Sequence, residues 1–115
     1  MSTTKTEELS NLFVYGSLKD AQVFFDVTGE HCPVKEQALL KDFCFTPPVC
    51  GYPAIVYQKG SFIIGEIIHG IPPHQFEKLD IYEDAGSLYQ RIQVRVLVDQ
   101  QDTKAFVYIK KKDEQ

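Results

Sequence analysis

This 115-residue sequence lacks features that several classes of protein require. No apolar run approaches the roughly 20 residues that a membrane-spanning helix requires. The first eight residues are polar and contain no hydrophobic segment of the kind found in signal peptides. We therefore expect no membrane association and a cytoplasmic location.

The sequence is also poor in cysteine and shows no pattern of metal ligands. Cys32, Cys44 and Cys50 are odd in number and have no CxxC spacing. This pattern is typical of reduced thiols rather than of a disulfide framework. His31 precedes Cys32, but no second pair follows at the spacing of a metal site, so we expect no metal.

Positive charge is not in excess either. The formal net charge is −4, and the basic run 110–112 is followed at once by two acidic residues. Such a chain has no general attraction for nucleic acid or for anionic membranes. A small molecule is therefore the expected partner. The sequence leaves the oligomeric state open, and a monomer is our expectation.

What is present is a series of short apolar segments that favours strands over helices. One domain is expected over residues 11–110, between a disordered tail (1–10) and a charged tail (111–115). Helices are predicted over 21–28, with Asp20 as the N-cap, and from Pro72–Pro73 to Tyr82. The predicted strands are 11–15, 34–45 with a bulge, 52–57, 61–68, 91–98 and 104–109.

The proline, glycine and polar residues between these segments predict how the strands connect. Pro47–Pro48 and Gly51 indicate a loop, Lys59–Gly60 a hairpin turn, and residues 99–102 a polar turn. About six strands with two or so short helices favour an α+β domain built on a curled sheet or a small barrel.

The second helix places a carboxylate on its apolar side. Phe76, Leu79 and Glu83 are spaced three and four apart and share one face. A carboxylate there loses water, which raises its pKa, and repulsion from Asp80 is expected to act in the same direction. Such a group can accept and return a proton near neutral pH. The alternative is that the helix frays at residue 82 and leaves Glu83 solvated.

Glu66 is a second carboxylate in an apolar setting. Strict alternation places it on one strand face with Phe62, Ile64 and Ile68. We interpret it as paired with Arg91 or Arg95, although the lining of a cavity is also open.

The segment Tyr15–Gly16–Ser17–Leu18 joins a strand to a helix through a tight turn. Backbone N–H groups in such a turn suit a carboxylate or a developing oxyanion, and Ser17 adds a hydroxyl. Ser17 as a nucleophile lacks a GxSxG motif and an obvious histidine and aspartate partnership. A plain tight turn is the alternative.

These segments, taken in order, resemble the γ-glutamylcyclotransferase-like superfamily, specifically its AIG2-like branch that includes γ-glutamylamine cyclotransferase. The resemblance covers about residues 12–109. It rests on four stretches, which are Phe13–Lys19, Tyr52–Val56, Gly65–Glu66, and Leu79–Glu83 followed by Leu88–Arg91.

The resemblance implies a mixed β-barrel with helices packed outside it and a cavity at one end. It also implies that Glu83 is the catalytic residue and that Tyr15, Gly16, Ser17 and Leu18 grip the substrate. Tyr89 either reaches the same pocket or packs in the core. Members convert γ-glutamyl compounds into 5-oxoproline and a free amine, as transferases of acyltransferase or cyclising-lyase type, without a cofactor.

Two other functions remain open at the level of sequence. One is a non-catalytic or regulatory AIG2-like module that binds small carboxylates, and the other is a hydrolase that uses Ser17. The segment 84–87 is expected to line the pocket mouth, but its composition does not identify the leaving amine.

Overall fold

The computed structural model describes residues 9–32, 35–49, 52–83 and 89–110. Two α-helices and a three-residue 3-10 turn (Ser17–Lys19) accompany the strands in these ranges. The elements in chain order are β1 (Ser10–Val14), α1 (Ala21–Thr28), β2 (Lys35–Val49), β3 (Tyr52–Ile71), α2 (Pro73–Tyr82), β4 (Tyr89–Val98) and β5 (Gln101–Lys110).

The strands form a closed ring in the order β1, β3, β2, β4 and β5. Four of the five pairings are antiparallel. The ring closes where β1 meets β5 in parallel, with Leu12 opposite Phe106. The expected α+β fold with a small mixed barrel is thus confirmed.

Strand alternation divides the apolar residues into two cores. One fills the ring and includes Phe13, Ile67 and Val107. The other lies between the outside of the ring and the helices, and includes Leu12 and Phe24. Phe13 and Leu12 are neighbours on β1 and point into different cores, because successive side chains of a strand face opposite sides.

Both helices form where their capping residues predict them. The carboxylate of Asp20 accepts a 2.8 Å hydrogen bond from the backbone of Gln22, and Gly29 ends α1 in the left-handed conformation at φ 78°. Proline occupies the first turn of α2, where its missing N–H has no helical partner in any case. Within the described ranges, no helix is long and apolar enough to cross a membrane.

The predicted hairpin turn at Lys59–Gly60 was wrong. Residues 52–71 form one continuous strand, so the described part of the chain has five strands rather than six. Both halves of β3 pair with β2, and the irregularity between them is a bulge in which residues 58–61 of β3 stand opposite the single residue Asp42 of β2, which has a φ of 69°. The carboxylate of Asp42 accepts a 3.0 Å hydrogen bond from the backbone of Gly60, which adopts φ 90° without reversing the chain.

The loop predicted at Pro47–Pro48 is also not observed. Strand β2 continues through both prolines to Val49. The register with β3 shifts between Thr46 and Val49, and such an irregularity suits residues that have no N–H to donate. Gly51, the C-terminal tail (111–115) and residues 1–8 of the tail predicted over 1–10 lie outside the described residues. The tail bound was wrong at Ser10, which begins β1 and pairs with Ile71.

Candidate active site

Glu83 lies at the C-terminal end of α2, on the side that packs against the ring. Phe76 is 3% exposed and Leu79 is fully buried, as the spacing predicts. The backbone N–H of Glu83 donates a 2.9 Å hydrogen bond to the carbonyl of Leu79. The helix therefore ends at Tyr82 without releasing Glu83, whose side chain is partly buried. The alternative of a fully solvated residue was wrong.

Burial raises the pKa of Glu83 from 4.5 to about 7. Loss of hydration is the cause, because it penalises the charged form of the carboxylate. The repulsion predicted from Asp80 is not among the causes of this shift. The carboxylate of Asp80 is itself paired with the guanidinium of Arg91, at 3.0 Å. A carboxylate with a pKa near 7 is half-protonated at neutral pH and can act as an acid or a base.

Tyr15 follows β1 directly, and its hydroxyl lies within electrostatic reach of Glu83. This hydroxyl donates a 2.5 Å hydrogen bond to the backbone carbonyl of Tyr108. Burial raises the pKa of Tyr15, and electrostatic interaction with Glu83, and then with Tyr89, raises it further. Tyr15 therefore stays neutral at physiological pH. The edge of its ring packs against Phe45, with centroids 5.9 Å apart.

Tyr108 is a member of this cluster that the sequence did not reveal as a site residue. Its side chain is 3% exposed, and its hydroxyl donates a 2.6 Å hydrogen bond to Asp80. Burial raises its pKa first, followed by the hydrogen bond to Asp80. The only signal in the sequence is its place in a closing strand, Phe106–Val107–Tyr108, which indicates a packing position rather than a functional one.

Tyr89 is buried, with 6% of its surface exposed, and belongs to the outer core. It also lies close enough to Tyr15 to interact with it electrostatically. The two readings that the sequence left open are therefore compatible.

The segment after Tyr15 forms the 3-10 turn of Ser17–Lys19. The backbone N–H of Lys19 closes this turn on the carbonyl of Gly16 at 3.0 Å. The side chain of Leu18 is 5% exposed and packs in the outer core, so that Leu18 offers a ligand its backbone alone. The structure thus brings this turn to the same end of β1 as Tyr15. Contact of Gly16, Ser17 and Leu18 with a substrate stays a prediction.

Glu66 is paired, but with a different residue from those predicted. The ammonium of Lys35 lies 3.6 Å from its carboxylate, whereas Arg91 binds Asp80. Glu66 lies opposite Val14 on β1 and opposite Gln37 on β2, away from the Arg95 position on β4. Its strand face is the outer one, where Phe62 is 59% and Ile64 is 54% exposed.

Gly65, the residue before Glu66, is required because β1 lies very close to β3 at this position. A Cβ atom at this position would lie 2.4 Å from the carbonyl oxygen of Val14 and 2.8 Å from the ring of Phe13. Only glycine allows the strand that leads to Tyr15 to come this close.

Two histidines have contacts of their own. His31 packs against the ring of Phe25 at 5.1 Å, and His69 lies 2.7 Å from the carboxylate of Glu36. These contacts do not support a triad with Ser17. Among the described residues, no three His, Cys, Asp or Glu side chains are grouped as metal ligands.

A separate groove of about 420 Å³ lies toward the β4–β5 turn, at the opposite end of β4 from Tyr89. It contains two positive and two negative side chains, which are Lys41, Arg95, Asp42 and Asp102. It shares no residue with the cluster around Glu83, and Asp42 already binds Gly60. The groove is therefore separate from the candidate active site around Glu83.

Comparison with known proteins agrees with the fold. A structure of a gamma-glutamyl cyclotransferase has the same fold, with a TM-score of 0.78 at 18% identity, and the match covers 93% of this chain and 69% of that one. An AIG2-like protein from Mus musculus superposes with a TM-score of 0.75 at 25% identity, over 88% of this chain and 76% of that one. AIG2-like protein D of Arabidopsis thaliana is 35% identical over 98% of this chain and 75% of its own length. The sequence model for "Gamma-glutamyl cyclotransferase, AIG2-like" matches residues 12–115, and the chain belongs to this family.

Proposed function

We propose that this chain is a cofactor-free γ-glutamyl cyclotransferase that releases 5-oxoproline and a free amine from a γ-glutamyl amine or amide. The observation that carries the proposal is Glu83, a partly buried carboxylate whose pKa is raised to about 7 and whose charge acts on Tyr15. Membership of the family supports the same reaction.

The reaction needs little from the protein beyond orientation and proton transfer. The α-amine of the substrate attacks its own γ-carbonyl carbon, and a new C–N bond closes a five-membered ring. The bond from that carbon to the leaving nitrogen then breaks. Holding the substrate in the ring-forming pose can lower the barrier by several kcal/mol, up to roughly 7–11 kcal/mol in well-aligned intramolecular cases.

Glu83 moves the proton in this scheme. As a carboxylate it takes a proton from the substrate's α-ammonium, which frees the lone pair that attacks. It then donates this proton to the leaving nitrogen, so that the amine departs neutral. The ring nitrogen still carries two hydrogens after the attack, and its second proton passes to the freed carboxylate and from there to solvent, which returns Glu83 to its charged form. A pKa near the working pH makes both transfers feasible for a single group.

The neighbouring residues bind the substrate in this proposal. Backbone N–H groups of Gly16, Ser17 and Leu18 hold the α-carboxylate or the tetrahedral oxyanion. The proton of the Tyr15 hydroxyl is already donated to the Tyr108 carbonyl, so the phenolic oxygen faces the substrate as a hydrogen-bond acceptor. Tyr89 forms an apolar wall beside it.

The test is incubation of the protein with a panel of γ-glutamyl compounds, namely glutathione, γ-glutamyl amino acids and γ-glutamyl-ε-lysine, with 5-oxoproline as the readout. We expect release from at least one member of the panel and a loss of about 10²–10⁴-fold in Glu83→Gln. Glu77→Gln is the matched control, since it removes an exposed carboxylate from the same helix and should keep full activity.

Two results would contradict the proposal. Full activity in Glu83→Gln would exclude the role assigned to this residue. Saturable binding of small carboxylates without 5-oxoproline from any member of the panel would favour a non-catalytic binding module.

A further inference from the structure

Asp80 joins the last turn of α2 to two strands of the ring. Its Oδ1 accepts a 2.6 Å hydrogen bond from the Tyr108 hydroxyl on β5. The same oxygen lies 3.0 Å from Nε of Arg91 on β4, and Oδ2 accepts from Nη2 of Arg91 at 3.3 Å. Asp80 precedes Glu83 by three residues, so the two side chains lie on neighbouring positions of one helix side.

Arg91 is itself fixed by two aromatic rings. Its guanidinium carbon lies 4.6 Å from the ring centroid of Phe76 on α2 and 4.7 Å from that of Phe106 on β5. The two rings pack edge to face, with centroids 5.3 Å apart. Cation–π contact of this kind favours the planar guanidinium over an ammonium group. Arg91 therefore has one orientation in which it can reach Asp80.

This arrangement differs from an isolated surface ion pair. The Arg91 and Asp80 side chains are 29% and 32% exposed, and an isolated pair of that kind contributes only about 0–1 kcal/mol to stability. Here the buried hydroxyl of Tyr108 and the rings of Phe76 and Phe106 add to the ion pair, so that α2, β4 and β5 are all joined. The main consequence is that the end of α2 is held in position, rather than that the protein is made more stable.

We propose that Asp80, Arg91 and Tyr108 are positioning residues, which clamp the last turn of α2 to β4 and β5 and so hold Glu83 beside Tyr15. In addition, Arg91 balances the charge of Asp80 so that Asp80 does not act on Glu83. The inference rests on the function proposed for Glu83 and adds three residues to it.

The charge-balancing part follows from the groups that face Glu83. They are the hydroxyls of Tyr15, which follows β1, and of Tyr108 on β5, both of which interact electrostatically with Glu83. The Asp80–Arg91 pair lies one turn earlier on α2. Tyr15 and Tyr108 are neutral, since their pKa values are raised. Asp80 is therefore the negative charge that Arg91 keeps in balance.

The experiment measures two quantities in each variant. The first is the titration of the Glu83 carboxyl carbon by NMR in the substrate-free protein, and the second is the rate of 5-oxoproline release. We expect Arg91→Gln to raise the pKa of Glu83, because the charge of Asp80 is then unbalanced. We also expect kcat to fall about 100-fold with little change in KM, since displacement of a catalytic group by about 1 Å has an effect of this size.

Further variants separate position from charge. Asp80→Asn combined with Arg91→Gln should return the pKa toward the wild-type value but leave kcat low. Tyr108→Phe keeps the ring in the core and should lower kcat with the KM little changed. Arg91→Lys keeps the positive charge, and it should leave the pKa of Glu83 near the wild-type value while kcat stays reduced.

Arg95→Gln is the matched control, since it removes an exposed arginine from the same strand. If Arg91→Gln and Arg91→Lys both behave like Arg95→Gln in turnover and in the titration of Glu83, the positioning role is wrong. A wild-type protein that releases no 5-oxoproline contradicts the proposed function instead. In that case the titration still decides whether Arg91 balances Asp80.

Discussion

The hydroxyl of Tyr15 donates a 2.5 Å hydrogen bond to the backbone carbonyl of Tyr108, at the seam where the ring of strands closes. The same seam pairs Leu12 of β1 with Phe106 of β5. Tyr108 in turn binds Asp80 on α2, one turn before Glu83. The contacts that close the ring between β1 and β5 are therefore also contacts of the candidate site.

The rate of cyclisation should depend on the charge of Glu83. Glu83 must be a carboxylate to take the first proton, and its pKa is about 7. We expect kcat/KM to rise with pH through about 7 and to level off above it, because this ratio reports the free enzyme. The measurement is a pH profile of 5-oxoproline release. A rising limb near 4.5, the ordinary value for glutamate, would show that Glu83 is not desolvated in solution.

Stability should change with pH in the opposite direction. The folded protein holds the Glu83 proton up to about pH 7, whereas the unfolded chain loses it near 4.5. Between these values the folded state binds more protons, so the free energy of unfolding falls as pH rises. Glu83→Gln carries no charge and should be the more stable protein at pH 8, by up to about 3 kcal/mol.

The advantage of Glu83→Gln should vanish below pH 4.5, where both proteins are neutral at this position. Urea unfolding at pH 4 and pH 8 measures it, with Glu77→Gln as the exposed control on the same helix. Equal stabilities of wild type and Glu83→Gln at pH 8 would contradict the burial of this carboxylate.

Removal of the Tyr15 hydroxyl should weaken the contact between β1 and β5 but leave the aromatic ring at position 15 in place. Tyr15→Phe keeps the edge contact with Phe45 but leaves the Tyr108 carbonyl without its donor. We expect the free energy of unfolding to fall by about 1–3 kcal/mol, the usual effect of an unsatisfied, partly buried acceptor.

Chemical denaturation measures this loss. Tyr57→Phe provides the comparison, because Tyr57 is 64% exposed and its hydroxyl should matter little. Similar values for the two variants would mean that the 2.5 Å hydrogen bond does not contribute to stability.

Gly65→Ala should push β1 away from β3. The added methyl group would lie 2.4 Å from the carbonyl oxygen of Val14 and 2.8 Å from Cζ of Phe13. Overpacking of this kind lowers the free energy of unfolding by about 1–3 kcal/mol. Urea unfolding measures it against Gln58→Ala, an exposed position on the same strand that should change stability by less than about 0.5 kcal/mol. If Gly65→Ala had the same free energy of unfolding as the wild type, β1 and β3 could move apart to accept the methyl group without loss of stability.

Short-range features of this protein were predictable from the sequence alone. Asp20, Gly29 and Pro73 bound the two helices because capping and proline geometry act within one or two turns. Glu83 was placed on the core side of α2 for the same reason, since helical spacing relates it to Phe76 and Leu79. The family resemblance and its fold followed from the order of these segments.

Only the tertiary structure decided which distant residues meet. Lys59–Gly60 has the composition of a turn, yet β2 pairs with β3 on both sides of these residues and keeps the two parts of β3 in one strand. Glu66 binds Lys35 and Arg91 binds Asp80, because strand register and helix placement set these distances. Tyr15 and Tyr108 stand 93 positions apart, and no local pattern relates them. Closure of the ring brings them together, and that closure places a buried hydroxyl, a balanced ion pair and Glu83 at one end of the barrel.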